Sequence, residues 1–314
     1  MSKQIQASVS VGAAKDRTSS KRIREAIDAY SMLLPTIVGV AIFFIIPLGI
    51  SFYLSFTNAR LFGDPEFIWF ANYTRAFGDS VFYKAMSNTF IFSAATLLLS
   101  TVPALLLAML LNEQLAGRAF FRAVFFIPVV ASVVGVALLW RYLLNVDFGF
   151  VNYLLRIVGL EPIPWLTRPE YGLLSVILVF SWKTIGYNMV IFLAGLQGVP
   201  RQLYEAAGLD GASRWQQFLN ITAPMLSPTT FFVLVTTLIN CLQVFDVPLA
   251  LGLTRGNTVG PADSMLTVVP LLYREGFLSQ WMGYASAQAW ILFVIIMVIT
   301  FIQFRVSNRW VHYE

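Results

Sequence analysis

The sequence predicts an all-α membrane protein of six transmembrane helices, with one short helix held at a membrane face between the fourth and the fifth. Three observations predict it. Of 314 residues, 58% are hydrophobic and only 12% charged, and the mean hydropathy is +0.72; a soluble domain is nearer half apolar and a quarter charged. Six apolar runs each exceed the roughly 20 residues a helix needs to cross the hydrocarbon core. One polar, small-residue-rich stretch, residues 204–224 (YEAAGLDGASRWQQFLNITAP), interrupts this chain between its fourth and fifth runs. The net charge of +5 gathers at one set of span ends, so nucleic acid is not an expected partner, while membrane lipid is. The single cysteine, Cys241, lies in an apolar run and can form no intrachain disulfide.

Residues 1–20 are rich in Ser, Ala and Lys, which predicts a disordered tail rather than a cleaved signal peptide. Lys21, Arg22 and Arg24 then alternate with Ile23, Ala26, Ile27 and Tyr30, the pattern of a short interfacial helix. The domain division expected is therefore a tail and interfacial helix over 1–30 and a permeation domain over 31–314. The six spans are read at 31–56, 88–111, 120–144, 171–196, 227–251 and 284–304. Backbone groups in hydrocarbon must be satisfied within the segment, so each is a helix. Pro47, Pro103 and Pro128 lie inside spans, where a ring and a missing N–H kink a helix.

Orientation follows Lys and Arg near the span ends. The N-terminal tail carries Lys3, Lys15, Arg17, Lys21, Arg22 and Arg24; Arg118 and Arg122 flank the loop after span 2; Arg305 and Arg309 follow span 6. Both termini and the 204–224 stretch are thus expected in the cytoplasm. Arg60, Arg75, Lys84, Arg156, Arg168, Arg255 and Arg274 fall in the outer loops. Trp69, Trp140 and Trp165 suit an interfacial aromatic belt. The third outer loop, 252–283, carries Thr254-Arg255-Gly256-Asn257 and Gly260-Pro261, and reads either as a plain connection or as a loop at the mouth of a pathway.

Within the polar stretch, Glu205-Ala206-Ala207 favours helix, Gly208 and Gly211 punctuate it, and Asp210 with Gly211 shapes a turn. A helix presented below the membrane can fill a groove on another protein, and Glu205 offers a charge to a partner arginine. Thr236, Asn240 and Gln243 are spaced i, i+4 and i+7, one helix face in span 5. In span 4, Lys183, Thr184, Tyr187 and Asn188 recur at helical spacing, with Trp182 beside them. These polar groups read either as hydrogen-bonding glue between helices or as a path whose amides bind hydroxyls. Lys183 and Asp246 are the ionisable residues set deepest in spans. At a rise of about 1.5 Å per residue they lie ~18 Å and ~8 Å from the outer ends of their helices, and meet only if Lys183 reaches outward. Lys183 reads as a contact to helix carbonyls or a partner subunit, or as a greeting for an anionic substrate. No Gly-Lys pair exists, so no Walker A loop does; with one histidine, His312, metal-hydrolase and Ser-His-Asp arrangements are excluded.

The Glu205-Ala206-Ala207 … Gly211 … Ile221 … Pro224 pattern resembles the coupling loop of ABC importer permeases. With Leu193-Ala194-Gly195-Leu196-Gln197 before it and Gly283-Tyr284-Ala285-Ser286-Ala287 opening span 6, the chain from about residue 30 is similar to the maltose-permease type of carbohydrate importer subunit, the larger-partner-like half of a heterodimer. Ala223 stands where that pattern has leucine, and Arg255-Gly256-Asn257 where it has a plain glycine run. The resemblance implies a cytoplasmic coupling helix within a loop over 197–226, with Glu205, Ala206, Ala207, Gly208, Asp210 and Gly211 meeting an ATPase. It places Tyr187, Asn240 and Gln243 where the family contacts sugar. It implies a multi-pass protein of the bacterial inner membrane, no cofactor on this chain, and ATP and Mg on two ATP-binding partner subunits. A second homologous permease subunit, an extracytoplasmic solute-binding protein and a sugar-class substrate complete the assembly. The alternative, an ion-coupled secondary transporter, wants an inverted repeat of broken helices and midplane acids, and leaves the loop unexplained.

Overall fold

The computed structural model describes residues 21, 25, 27–113, 117–252 and 257–311. The 1–20 tail, Arg22, Arg24, Thr254, Arg255, Gly256 and His312 lie outside the described residues. Contacts divide the chain into two units, 1–54 and 55–314.

The first unit is nearly all one helix, α1 (Ile27–Ser55), exposed along its length with Met32 at 80% and Phe43 at 75%. It runs unbroken across residues 30 and 31, where a change from tail to span was expected. Its turn Ala41–Ile45 is widened to a π-helix, just before Pro47. Pro47 has no N–H for the carbonyl four residues back and its ring crowds that carbonyl; a wider turn accommodates both without a break.

The second unit opens with α2 (Ala71–Gly78) and α3 (Ser80–Asn112). Asp79 caps α3, its Oδ1 accepting from Val81 N at 2.8 Å. With 33 residues α3 is about 50 Å long, and Pro103 sits inside it without breaking it. It pairs along its length with α7 (Pro169–Gln197), the other long helix of the core. Two buried clusters line the bundle. One, around Phe92, Val176 and Leu271, lies toward the start of both helices; the other, around Ala108, Phe192 and Leu226, lies toward their ends.

Two of the six spans differ from expectation. Residues 120–144 form two helices, α4 (Arg118–Val130) and α5 (Val133–Leu143), bent by 102°. Neither, at about 20 Å or less, crosses hydrocarbon alone. The break follows Pro128: Ala131 and Ser132 adopt ψ of 143° and 132°, ending the helical ladder. Residues 227–251 also divide, into α10 (Ser227–Leu242) and α11 (Asp246–Gly252). Ahead of α10, α9 (Arg214–Met225) meets it at 65°. Among the described residues four helices are thus long enough to span alone, and six spans result if each bent pair counts as one. The last is α13 (Met282–Ser307).

The connections read above as outer loops are more ordered than loops. Within 145–168, α6 (Phe150–Ile157) is held by fully buried Asn152, which bonds Asn145 O, Ile163 O, Ile163 N and Trp165 Nε1 at 3.0–3.1 Å. Trp165 is therefore a buried prop, and Trp140 packs edge-on against Trp182; of the three belt candidates only Trp69 stays largely exposed. The 257–281 segment contains a 3₁₀ turn (Pro261–Asp263), α12 (Val268–Tyr273) and a π turn (Arg274–Leu278). It is pinned to α3 by Asn88 Nδ2 to Leu266 O (2.9 Å) and Val268 N to Thr89 Oγ1 (3.0 Å). Inside it, Arg274 pairs with Asp263 at 2.9 Å. Pathway loop or plain connection, it is a folded cap.

Candidate functional site: the α8 knob and the polar faces of α7 and α10

The 204–224 stretch folds as expected from its residues. Pro200 precedes α8 (Arg201–Leu209), a nine-residue helix. Gly211 closes it at φ +77°, in the left-handed region open to glycine. Two hydrogen bonds satisfy the last carbonyls, Ala212 N to Ala207 O (2.9 Å) and Gly211 N to Gly208 O (3.2 Å), the pair that defines a Schellman stop. No neighbour lies within 4 Å of where a Gly211 side chain would begin, so the need for glycine is conformational alone. Ser213 and Gln216 then start α9 with a capping box.

The faces of α8 divide cleanly. Glu205, Ala206, Gly208, Leu209, Asp210 and Gly211 are exposed, Leu209 at 91%. Ala207 and Tyr204 are half-buried on the opposite side. There the Tyr204 hydroxyl meets Thr222 Oγ1 at 2.9 Å, tying α8 to the end of α9, next to α10. Trp215, 66% exposed, stacks on Phe218 and adds a second apolar projection. The knob therefore shows a carboxylate and two large apolar groups outward and is fastened inward to the bundle.

The polar residues of spans 4 and 5 separate into two sets. Asn188 is fully buried; its Nδ2 donates to Ser100 Oγ (3.4 Å) and its Oδ1 accepts from Thr237 Oγ1 (3.2 Å). It joins α3, α7 and α10, the arrangement of a hydrogen-bonding tie between helices. Replacing Asn188 with alanine strands Thr237 and should lower stability by about 1–3 kcal/mol, read as a lower melting midpoint with substrate affinity unchanged. Thr184 and Thr236 turn their hydroxyls to their own helices, at Phe180 O and Phe232 O, both 2.8 Å. Lys183 Nζ reaches Val129 O at 3.4 Å, in the last turn of α4, where the broken ladder frees carbonyls and a cation is favoured. It forms no ion pair with Asp246, which is exposed at the first turn of α11 and accepts from Val247 N. Asp246 thus lies just after the break that ends α10, and not inside one continuous helix over 227–251.

Tyr187, Asn240 and Gln243 form the other set. All three are exposed, Tyr187 at 41%, and their side chains have no hydrogen-bond partner among the described residues. The Asn188–Thr237 bond joins α7 to α10 one residue beyond Tyr187 on α7 and one beyond Thr236 on α10. Gln243 caps α10 with φ −103° and ψ 13°, so the row of three ends on the helix rim rather than continuing up a span. Trp182 does not join them: five residues from Tyr187, it points about 140° away around the helix. It lines instead a separate cavity of about 360 Å³ with Leu99, Trp140, Ser181 and Ile185. Sequence reasoning missed Ser100 and Thr237 as the partners of Asn188; hydroxyl residues at helical spacing in an apolar span were the available signal. Among the described residues no group of three His, Cys, Asp or Glu could hold a metal.

The chain is similar over nearly all its length to known transport proteins. It is 38% identical over 299 residues to the "Probable ABC transporter permease protein YesP" of Bacillus subtilis, covering 94% of this chain and 95% of that protein. It is 34% identical to the "Lactose transport system permease protein LacF" of Rhizobium radiobacter, covering 95% and 99%. Its fold matches a chain of a bacterial alginate ABC transporter solved in complex with an alginate pentasaccharide-bound periplasmic protein, with TM-score 0.79, 29% identity, and coverage of 92% and 96%. The family model of the binding-protein-dependent transport system inner membrane component matches residues 89–313, and the chain belongs to that family of membrane permeases.

Proposed function

We propose that the chain is one of two homologous permease subunits of an ATP-driven importer in the bacterial cytoplasmic membrane, carrying a sugar or sugar derivative handed over by an extracytoplasmic solute-binding protein. The observation that carries the reading is α8: a short helix with an exposed carboxylate and an exposed Leu209, ended by a left-handed glycine and bonded through Tyr204 to Thr222. Such a helix fits a groove on an ATP-binding subunit. The similarity to a lactose permease and to an alginate transporter supports the sugar class. In this reading α8 and both termini face the cytoplasm. Glu205 and Leu209 meet the partner, and Gly208, Asp210 and Gly211 fix the helix and its stop. Closure of two ATPases moves α8, and the Tyr204–Thr222 contact passes that movement to α9 and α10. ATP and Mg reside on the partners.

Tyr187, Asn240 and Gln243 supply the substrate path in this subunit. An aromatic face suits the apolar side of a pyranose, and each amide both donates and accepts toward hydroxyls. Purified alone in proteoliposomes, the chain should move no sugar; with its second permease, two ATPases and binding protein it should. Uptake by the isolated chain driven by an ion gradient would refute the reading. Within the complete transporter, the double change Asn240→Ala and Gln243→Ala should cut sugar uptake about tenfold, the value of one lost hydrogen bond in the 1.4 kcal/mol range, while subunit assembly is retained. Unchanged uptake would return both residues to a packing role.

A further inference from the structure

At the end of the bundle opposite α8, three segments bring two arginines onto one tryptophan. Gly283 N donates to Ala59 O at 2.9 Å, fixing the segment after α1 against the start of α13. Arg60 lies over the Trp281 ring with Cζ 4.2 Å from its centre. Arg75, in the last turn of α2, lies 5.1 Å from the same centre and 4.0 Å from that of Tyr284. Both arginines are exposed, whereas Tyr284 is buried. Asp79, the nearest acid in sequence to Arg75, is occupied: Oδ1 accepts from Val81 N and Oδ2 from the Tyr284 hydroxyl at 2.7 Å; Asp64, the nearest to Arg60, forms no ion pair with it. Among the described residues neither arginine has a carboxylate within ion-pair distance. Two like charges are thus gathered on a shared aromatic platform by cation–π attraction, with no ion pair to either among the described residues.

We propose that Arg60 and Arg75 form a receptor for carboxylates on a soluble protein, namely an acidic patch of the extracytoplasmic binding protein; this rests on the importer reading above, which sets this end outside. A protein surface fits better than a small solute because both arginines are exposed, and neither lines the cavity beside Arg141 or the one beside Trp182. Arg and Trp together are the residues that most often anchor protein interfaces. Stacking already restrains the two long side chains, so docking costs less rotamer freedom. The same loop and helix expose Phe62, Trp69 and Phe77, at 78%, 68% and 59%, an apolar surround for a charged centre.

The test places the whole transporter in nanodiscs of phosphatidylcholine and titrates fluorescein-labelled deca-glutamate. The peptide should bind, weaken several-fold between roughly 0.1 and 0.5 M NaCl as screening rises, and lose at least tenfold in affinity when Arg60→Gln and Arg75→Gln are combined. Equal binding by the double variant overturns the site. Loss of binding when phosphatidylglycerol replaces phosphatidylcholine also overturns it, since the arginines would then serve lipid headgroups. A second arm titrates the ATPase of the same transporter with its binding protein. The half-maximal concentration should rise at least tenfold in the variant, and an unchanged value overturns the assignment of the partner. A wild-type transporter that binds the peptide yet ignores every binding protein refutes the importer reading instead.

Discussion

A Gly211→Val variant should insert and assemble normally but lose at least nine-tenths of ATP-driven uptake. Gly211 sits at φ +77°, a region that costs an ordinary L-residue about 1–2 kcal/mol and a β-branched one more. Space is not the obstacle, since nothing lies within 4 Å. The chain relieves the strain by undoing the stop, which frees the carbonyls of Ala207 and Gly208 and lets α8 rotate or lengthen. Glu205 and Leu209 then leave the positions in which a partner meets them, and the Tyr204–Thr222 contact no longer passes motion to α10. Uptake and ATPase stimulation measured on the same reconstituted sample separate this from misfolding: assembly intact and both activities lost is the expected outcome. A fully active Gly211→Pro variant, which also removes the N–H bonded to Gly208 O, would count against the proposed mechanism.

The second large effect lies in the membrane. Gly186→Leu should destabilise the fold strongly, with a loss of about 3 kcal/mol and a melting midpoint lower by about 6–9 °C. A Cβ at Gly186 would collide with the backbone carbonyl of Phe125, and a backbone carbonyl cannot swing aside as a side chain does. This is where α4 lies directly on α7, one turn from Lys183 and its contact at Val129 O. Thermal unfolding in detergent, followed by tryptophan fluorescence, reads the effect. A midpoint unchanged within 2–3 °C, on the order of 1 kcal/mol for a chain of this size, would mean that α4 and α7 do not approach as described.

Much of this was legible in the sequence for a simple reason. Apolar length reports a membrane span directly, so α1, α7 and α13 fell within about four residues of expectation, while α3 begins eight residues earlier than 88 because its first turns are more polar. The α8 helix and its stop were equally visible, because Glu205-Ala206-Ala207 and Gly211 are local signals acting on local backbone. A kink at Pro128 was visible, but not that it would end the helix and bend the chain by 102°. The break after Leu242 was not visible, since it lies in a run as apolar as any span. Asp246 and Gln243 were misplaced for that one reason. Periodicity put Tyr187 and Asn188 side by side with equal claims; only burial separated them, since among the described residues Asn188 has hydrogen-bond partners and the Tyr187 side chain has none. The arginine platform joins residues 60, 75 and 281, a distance in sequence that no local pattern spans.

The most direct test of the central claim is a photo-cross-linker at Leu209, the most exposed apolar residue of the knob, installed in the assembled transporter in intact membranes. The account predicts an adduct with the ATP-binding subunit, with a yield that changes between nucleotide-free and ATP-trapped states. An adduct with no nucleotide-binding protein in either state, or labelling of a Leu209→Cys variant by a membrane-impermeant thiol reagent added outside the cell, would contradict it.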